Sequence, residues 1–181
     1  MLDEKFIERE EIFDGAVLNV VKDTVLLPNG KCATREFCLH VGAVAVIPLL
    51  DDGRVIMERQ YRYAHGKVLL EIPAGKLNSK SEDPLEAVKR ELREETGASA
   101  KSYEFIGELI PTPAIVNEKI YMYLAENISF GERELDEDEF LDVEFISAKA
   151  LYEMVMRGEI QDAKTQVAIL KLKELRKEIF V

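Results

Sequence analysis

The 181-residue chain carries 24 Lys and Arg against 35 Asp and Glu, a formal net charge of −11, with 47% apolar and 33% charged residues. That balance excludes a disordered chain and a basic surface for general nucleic-acid binding, and the length fits one domain. No apolar run nears the ~20 residues of a membrane span, and residues 1–9 alternate charge with apolar side chains unlike a signal peptide, so no membrane partner and a cytoplasmic setting are expected.

Residues 16–27 are rich in Val and Leu and end at Pro28-Asn29-Gly30. The Asn-Gly pair predicts a tight hairpin turn, both residues taking positive φ, into a returning strand at 31–39. The nearly continuous apolar run 43–50 reads as a buried central strand. Asp51-Asp52-Gly53 turns into a strand at 54–59, and a short strand follows at 68–72. Residues 84–96 form the first clear helix. Asp83 is its N-cap, Pro84 fits the first position, Glu86 completes a D-x-x-E capping box and Gly97 ends it. Leu85, Val88, Leu92 and Thr96 share one face, with Glu91, Glu94 and Glu95 on the opposite side. Strands at 102–109, 119–125 and 141–145 follow, with helices at 148–157 and about 163–177. This order predicts a mixed sheet with helices on its faces. Cys32 and Cys38 lack CxxC spacing and read as plain thiols.

The first helix carries the chemistry. Glu91 and Glu95 are four apart and Glu94 borders the same edge, so carboxylates crowd together. Like charges at this spacing weaken a helix by roughly a few tenths of a kcal/mol, a cost that a hard cation removes. Carboxylate oxygens suit Mg²⁺, which keeps waters and binds substrate phosphates. Taken alone, E-x-x-E-E equally describes a solvated face partnered by Lys89, Arg90 and Arg93.

The surrounding stretch, GKLNSKSEDPLEAVKRELREETGA at 75–98, separates these readings. It resembles the Nudix box G-x5-E-x7-R-E-U-x-E-E-x-G-U, where U is a bulky aliphatic residue. Glu82, Arg90, Glu91, Leu92, Glu94, Glu95 and Gly97 match in register. Gly75 matches with one extra residue within 78–81, a polar stretch where insertion is cheap, and Ala98 stands at the last aliphatic position. The resemblance implies an α+β fold, the Nudix-type α/β/α sandwich, with a mixed sheet flanked by helices. It implies Glu91, Glu94 and Glu95 as metal ligands with the Ala74 carbonyl. Arg90 would hold those carboxylates, and Glu94 and Arg90 would belong to the catalytic set. Mg²⁺ is the implied cofactor, with Mn²⁺ as a substitute.

Beyond the box the chain resembles bacterial ADP-ribose pyrophosphatases. The segments are Thr34-Arg35-Glu36 before the 42–46 run, Arg59-Gln60-Tyr61-Arg62 and Glu71-Ile72-Pro73-Ala74-Gly75-Lys76. Thr112-Pro113-Ala114 with Glu118-Lys119-Ile120, the acidic run 135–140 and Asp162-Ala163-Lys164-Thr165 complete them. The resemblance implies hydrolysis of ADP-ribose, a nucleoside diphosphate substrate, to AMP and ribose 5-phosphate. Arg35 and Arg62 would contact phosphate, Glu36 the ribose or adenine side, and Pro113 and Glu118 would belong to the ligand loop. Neither His40 nor His65 lies in a motif, so the base is expected to be a carboxylate. The resemblance puts it just before Phe140, at Glu139, with Glu137 as second choice. It also implies a homodimer paired through an N-terminal antiparallel strand extension at 1–40, ahead of a catalytic domain at 41–181. The rival substrates are GDP-mannose, NADH and FAD. A nucleotide-sensing domain without catalysis is the other reading, disfavoured by the intact box glutamates.

Overall fold

The computed structural model describes residues 2–135 and 140–180. Two compact units share them: Met1–Val41 with Ile110–Lys119, and Gly42–Leu109 with Ile120–Val181. No helix among the described residues is long and apolar enough to cross a membrane.

The first unit is a three-stranded antiparallel sheet of β1 (Lys5–Asp14), β2 (Asn19–Leu26) and β3 (Cys32–Leu39), in the order β1-β2-β3. β1 escapes the sequence reading for a physical reason. Its register shifts between Phe6 and Glu8 and again between Glu11 and Phe13, so the period-2 alternation that marks a strand is broken twice. The turn at 28–30 also differs from expectation. Gly30 alone has positive φ (80°), and Leu27 and Lys31 close a three-residue loop through Leu27 N–H to Lys31 O at 2.8 Å. Pro28 fixes its own φ near −65°, so the longer loop with one left-handed residue replaces the two-residue turn. Buried Asp23 on β2 is matched by a two-pronged Arg9 contact at 2.7 Å on each oxygen. The 110–119 segment joins this unit through Cys38 N–H to Ile115 O (2.8 Å) and Asn117 N–H to Cys38 O (3.2 Å).

The second unit is built around β4 (Ala43–Pro48), in which every residue is buried. Its mixed sheet runs β7 (Ala74–Lys76), β4, β9 (Ile120–Phe130), β8 (Ala98–Leu109), with β4 and β9 parallel and the other pairs antiparallel. An antiparallel sheet of β10 (Leu141–Ser147), β5 (Arg54–Arg62) and β6 (Lys67–Glu71) accompanies it. Successive β4 side chains point to opposite faces. Ala43, Ala45 and Ile47 pack with Leu151 of helix α2 (Ala148–Met156) and with Ile169 and Leu172 of α3 (Ala163–Leu175). Val44 and Val46 pack with Ala87, Val88 and Leu92 of α1 (Pro84–Thr96). The sheet is thus clad on both sides, an α/β/α arrangement, and the continuous apolar run of β4 follows from it. β7 has only three residues, too short to carry a periodic signal. The last helix stops at Leu175, short of the expected 177, and a 3₁₀ turn at Lys177–Phe180 follows.

Candidate active site

α1 begins as its sequence dictates. Asp83 accepts from Leu85 N–H at 2.8 Å and Pro84 takes the first turn. The capping box is not closed, because Glu86 turns to Lys89 Nζ at 2.7 Å. The expected division of faces also needs correction. Glu91 and Glu95 lie among the buried residues of α1, 9% and 4% exposed, beside Val88 and Leu92. They border the apolar face instead of opposing it. Buried carboxylates must be compensated, and the compensation defines the site.

Groups from β7, from the loop before α1 and from α1 itself supply it. Ala74 N–H donates to Glu95 Oε2 at 3.1 Å. Gly75 lies against Glu91, such that a Cβ there would stand 2.0 Å from Glu91 Cδ. Only glycine leaves room for that carboxylate. Arg90 fans out to Glu91 Oε1 (2.8 Å), Glu94 Oε2 (3.0 Å), the Lys76 carbonyl (3.3 Å) and Glu82 Oε1 (3.4 Å). Burial works against the Arg90 charge, but Glu91, Glu94 and Glu82 outweigh it and raise its pKa above the ordinary value. Glu82 in turn accepts from the Asn78 backbone and side-chain amides, and Glu82 N–H closes a turn on Ser79 O at 3.2 Å. The extra residue between Gly75 and Glu82 is absorbed in this polar turn.

Among the described residues no three acidic, histidine or cysteine side chains converge as a ready cation cage. Glu91 and Glu94 share the Arg90 guanidinium, and Glu95 accepts a hydrogen bond from the Ala74 amide. The donor set still suits a hard dication: three carboxylates within five helical residues, two of them nearly buried, beside the backbone of β7. The Gly75 cradle keeps Glu91 in place without a covering side chain.

A second charged cluster lies at the end of β6. Arg62 grips Glu71 with Nε on Oε1 (2.7 Å) and Nη2 on Oε2 (2.8 Å), and Lys164 bonds the same Oε2. Burial alone would push the Glu71 carboxyl up, yet the two cations bring it down to about 2. The Glu71 hydrogen bonds chiefly raise the pKa of Arg62 against its burial, and Asp162 and Glu95 add to the rise, so Arg62 lies in the field of Glu95. Arg62, His65, Glu71, Asp162 and Lys164 line part of a cavity of about 410 Å³. Sequence reasoning assigned no role to Glu71 or Lys164. The available signal was a glutamate ending the apolar run Val68-Leu69-Leu70, a position that demands a buried partner.

Glu139 and Glu137 lie outside the described residues. The acidic run that leads to them starts beside α1: Glu134 N–H donates to the Glu94 carbonyl at 3.2 Å, and Gly131 N–H to Gly97 O at 2.7 Å. Arg35, Glu36, Pro113 and Glu118 belong to the first unit. There Arg35 is paired with Glu4, its Nε 2.9 Å from Glu4 Oε2. Glu36 is exposed opposite Lys22. Glu118 Oε1 lies 3.7 Å from His40 Nε2. The Pro113 turn closes on Thr112 O, which accepts from Ile115 and Val116 N–H at 3.2 Å each.

A family model described as the NUDIX domain matches residues 39–167. The chain is 44% identical over 177 residues to an ADP-ribose pyrophosphatase of Bacillus subtilis (strain 168), covering 96% of this chain and 95% of that protein. It is 39% identical over 181 residues to the methanol dehydrogenase activator of Bacillus methanolicus, covering 98% and 97%. A crystal structure of an ADP compounds hydrolase superposes with a TM-score of 0.85 at 22% identity over 98% of this chain and 97% of that one, a likeness of fold.

Proposed function

This chain belongs to the Nudix hydrolase family, and on that premise we propose that it hydrolyses the pyrophosphate bond of ADP-ribose to AMP and ribose 5-phosphate. The observation that carries the reading is the seating of Glu91 and Glu95 against Gly75 and the Ala74 amide. Two acids are there held almost out of water beside the backbone of β7, a donor set that suits a hard dication. The name of the Bacillus subtilis relative points to the substrate.

In this mechanism Glu91, Glu94, Glu95 and the Ala74 carbonyl hold Mg²⁺ or Mn²⁺. When bound, the ion neutralises diphosphate oxygens, polarises phosphorus and lowers the pKa of water. Arg90 keeps the glutamates apart and oriented through charge-assisted bonds. Arg62 and Arg35 orient the diphosphate with guanidinium forks, Glu36, Pro113 and Glu118 bound the nucleoside side, and Glu139 or, failing it, Glu137 takes the proton from attacking water. Catalysis lies in the domain at 41–181. Residues 1–40 pair two copies into a cytoplasmic homodimer, a use that suits the exposed Phe6 and Phe13 of β1.

Purified protein offered ADP-ribose, GDP-mannose, NADH and FAD with Mg²⁺ should release nucleoside monophosphate fastest from ADP-ribose. A kcat/KM about tenfold higher for another member of the panel would replace the substrate and keep the chemistry.

A further inference from the structure

Resting on that function, we propose that Glu71 and Lys164 are positioning residues that aim the Arg62 guanidinium at the substrate's diphosphate. The three side chains differ in exposure in the way this role requires. Arg62 remains 40% exposed, while Glu71 is 4% and Lys164 11% exposed. Arg62 is the open member, and the other two are nearly covered.

Glu71 takes Arg62 on both oxygens, which fixes the plane of the guanidinium and leaves its Nη1 amino group outside the pairing. A fork held along one edge presents its remaining donors in a set direction, which suits a phosphate. Lys164 already faces Glu71 and, at 3.2 Å, Asp162 Oδ1, and it is nearly covered. Its influence on a ligand therefore runs through Glu71 and Arg62.

The support for Lys164 is equally specific. It stands in the first turn of α3, where Asp162 Oδ2 accepts from Thr165 N–H (2.9 Å) and Thr165 Oγ1 (2.6 Å). Fully buried Thr165 Oγ1 accepts in turn from Ile72 N–H at 2.9 Å. The start of α3 is thus tied to two successive residues, Glu71 and Ile72, and Ile72 leads through Pro73 to Ala74 and Gly75. One set of bonds sets both the direction of Arg62 and the approach of the chain to the carboxylates.

The test is a double-mutant cycle between K164M and R62A, read as kcat/KM for ADP-ribose. K164M should lower kcat/KM about tenfold in the wild-type background, chiefly through KM, and should change little in R62A. K164R should recover most of the loss. An equal loss from K164M in both backgrounds would overturn the proposal, because a purely structural lysine acts whether or not Arg62 is present. Should K164M fail to fold, E71Q enters the same cycle with the same two outcomes. The cycle is repeated on the Kd of ADP with Mg²⁺, a diphosphate without the second sugar. Protein inactive on ADP-ribose would overturn the function proposed above, while coupling or additivity in ADP binding still decides this inference.

Discussion

Gly75 and Glu91 are in direct contact: a methyl group added to the glycine would fall 2.0 Å from the Glu91 carboxyl carbon and 2.2 Å from each of its oxygens. The contact is with the end of a flexible side chain, so the backbone need not yield. The carboxylate must. Gly75→Ala should therefore leave the melting temperature nearly unchanged and displace Glu91 from its seat. The Mg²⁺ concentration for half-maximal activity should rise by about tenfold or more, the size of effect seen when a ligand's support is lost. An unchanged Mg²⁺ titration would show that Glu91 does not bind metal from this position.

Glu95 is 4% exposed and accepts the Ala74 amide. Glutamine keeps an oxygen for that bond but loses the charge. Glu95→Gln should fold with wild-type circular dichroism and lose about two orders of magnitude or more in kcat. Wild-type turnover in this variant would reject Glu95 as a metal ligand.

Against the effect of burial, Arg62 and Lys164 hold the Glu71 carboxyl at about 2, well below the ordinary carboxylate value of 4.5. Its facing groups are Arg62 and Lys164, with Asp162 beyond Lys164. A depressed carboxylate contributes stability that is complete above the unfolded pKa and is lost as pH falls through the folded one. Urea unfolding should therefore show a loss on the order of 3 kcal/mol from this group between about pH 5 and pH 2. Glu71→Gln should remove that acid-dependent share while lowering stability at neutral pH, since two cations lose their buried partner. A pH profile identical in the variant would exclude Glu71 as the source.

β1 exposes Phe6 (61%) and Phe13 (55%). In the proposed homodimer these rings are covered. Phe6→Ser with Phe13→Ser should shift sedimentation velocity from dimer to monomer with little change in far-UV circular dichroism. A wild-type chain that sediments as a monomer would remove the dimer.

The sequence discloses α1 and β4 almost to the residue, because one has a cap, a first-position proline and a terminal glycine, and the other is buried on both faces. β1 stays hidden behind its two register shifts, and β7 behind its length. The metal-helix residues are legible because they fall close together in sequence. Glu71 and Lys164 are 93 positions apart, and only folding makes them neighbours. Periodicity also misplaced Glu91 and Glu95 on the outer face. A helical wheel counts a carboxylate as a solvent-seeking group and cannot see that Gly75 and Ala74 come to meet it.

Product release measured by mass spectrometry from wild type and Glu95→Gln, each with Mg²⁺ and with EDTA, decides whether glutamates on α1 support metal-dependent cleavage of ADP-ribose. AMP and ribose 5-phosphate should form with wild type and Mg²⁺ alone. Intact ADP-ribose in that sample, or AMP from the variant or in EDTA at the wild-type rate, would contradict it.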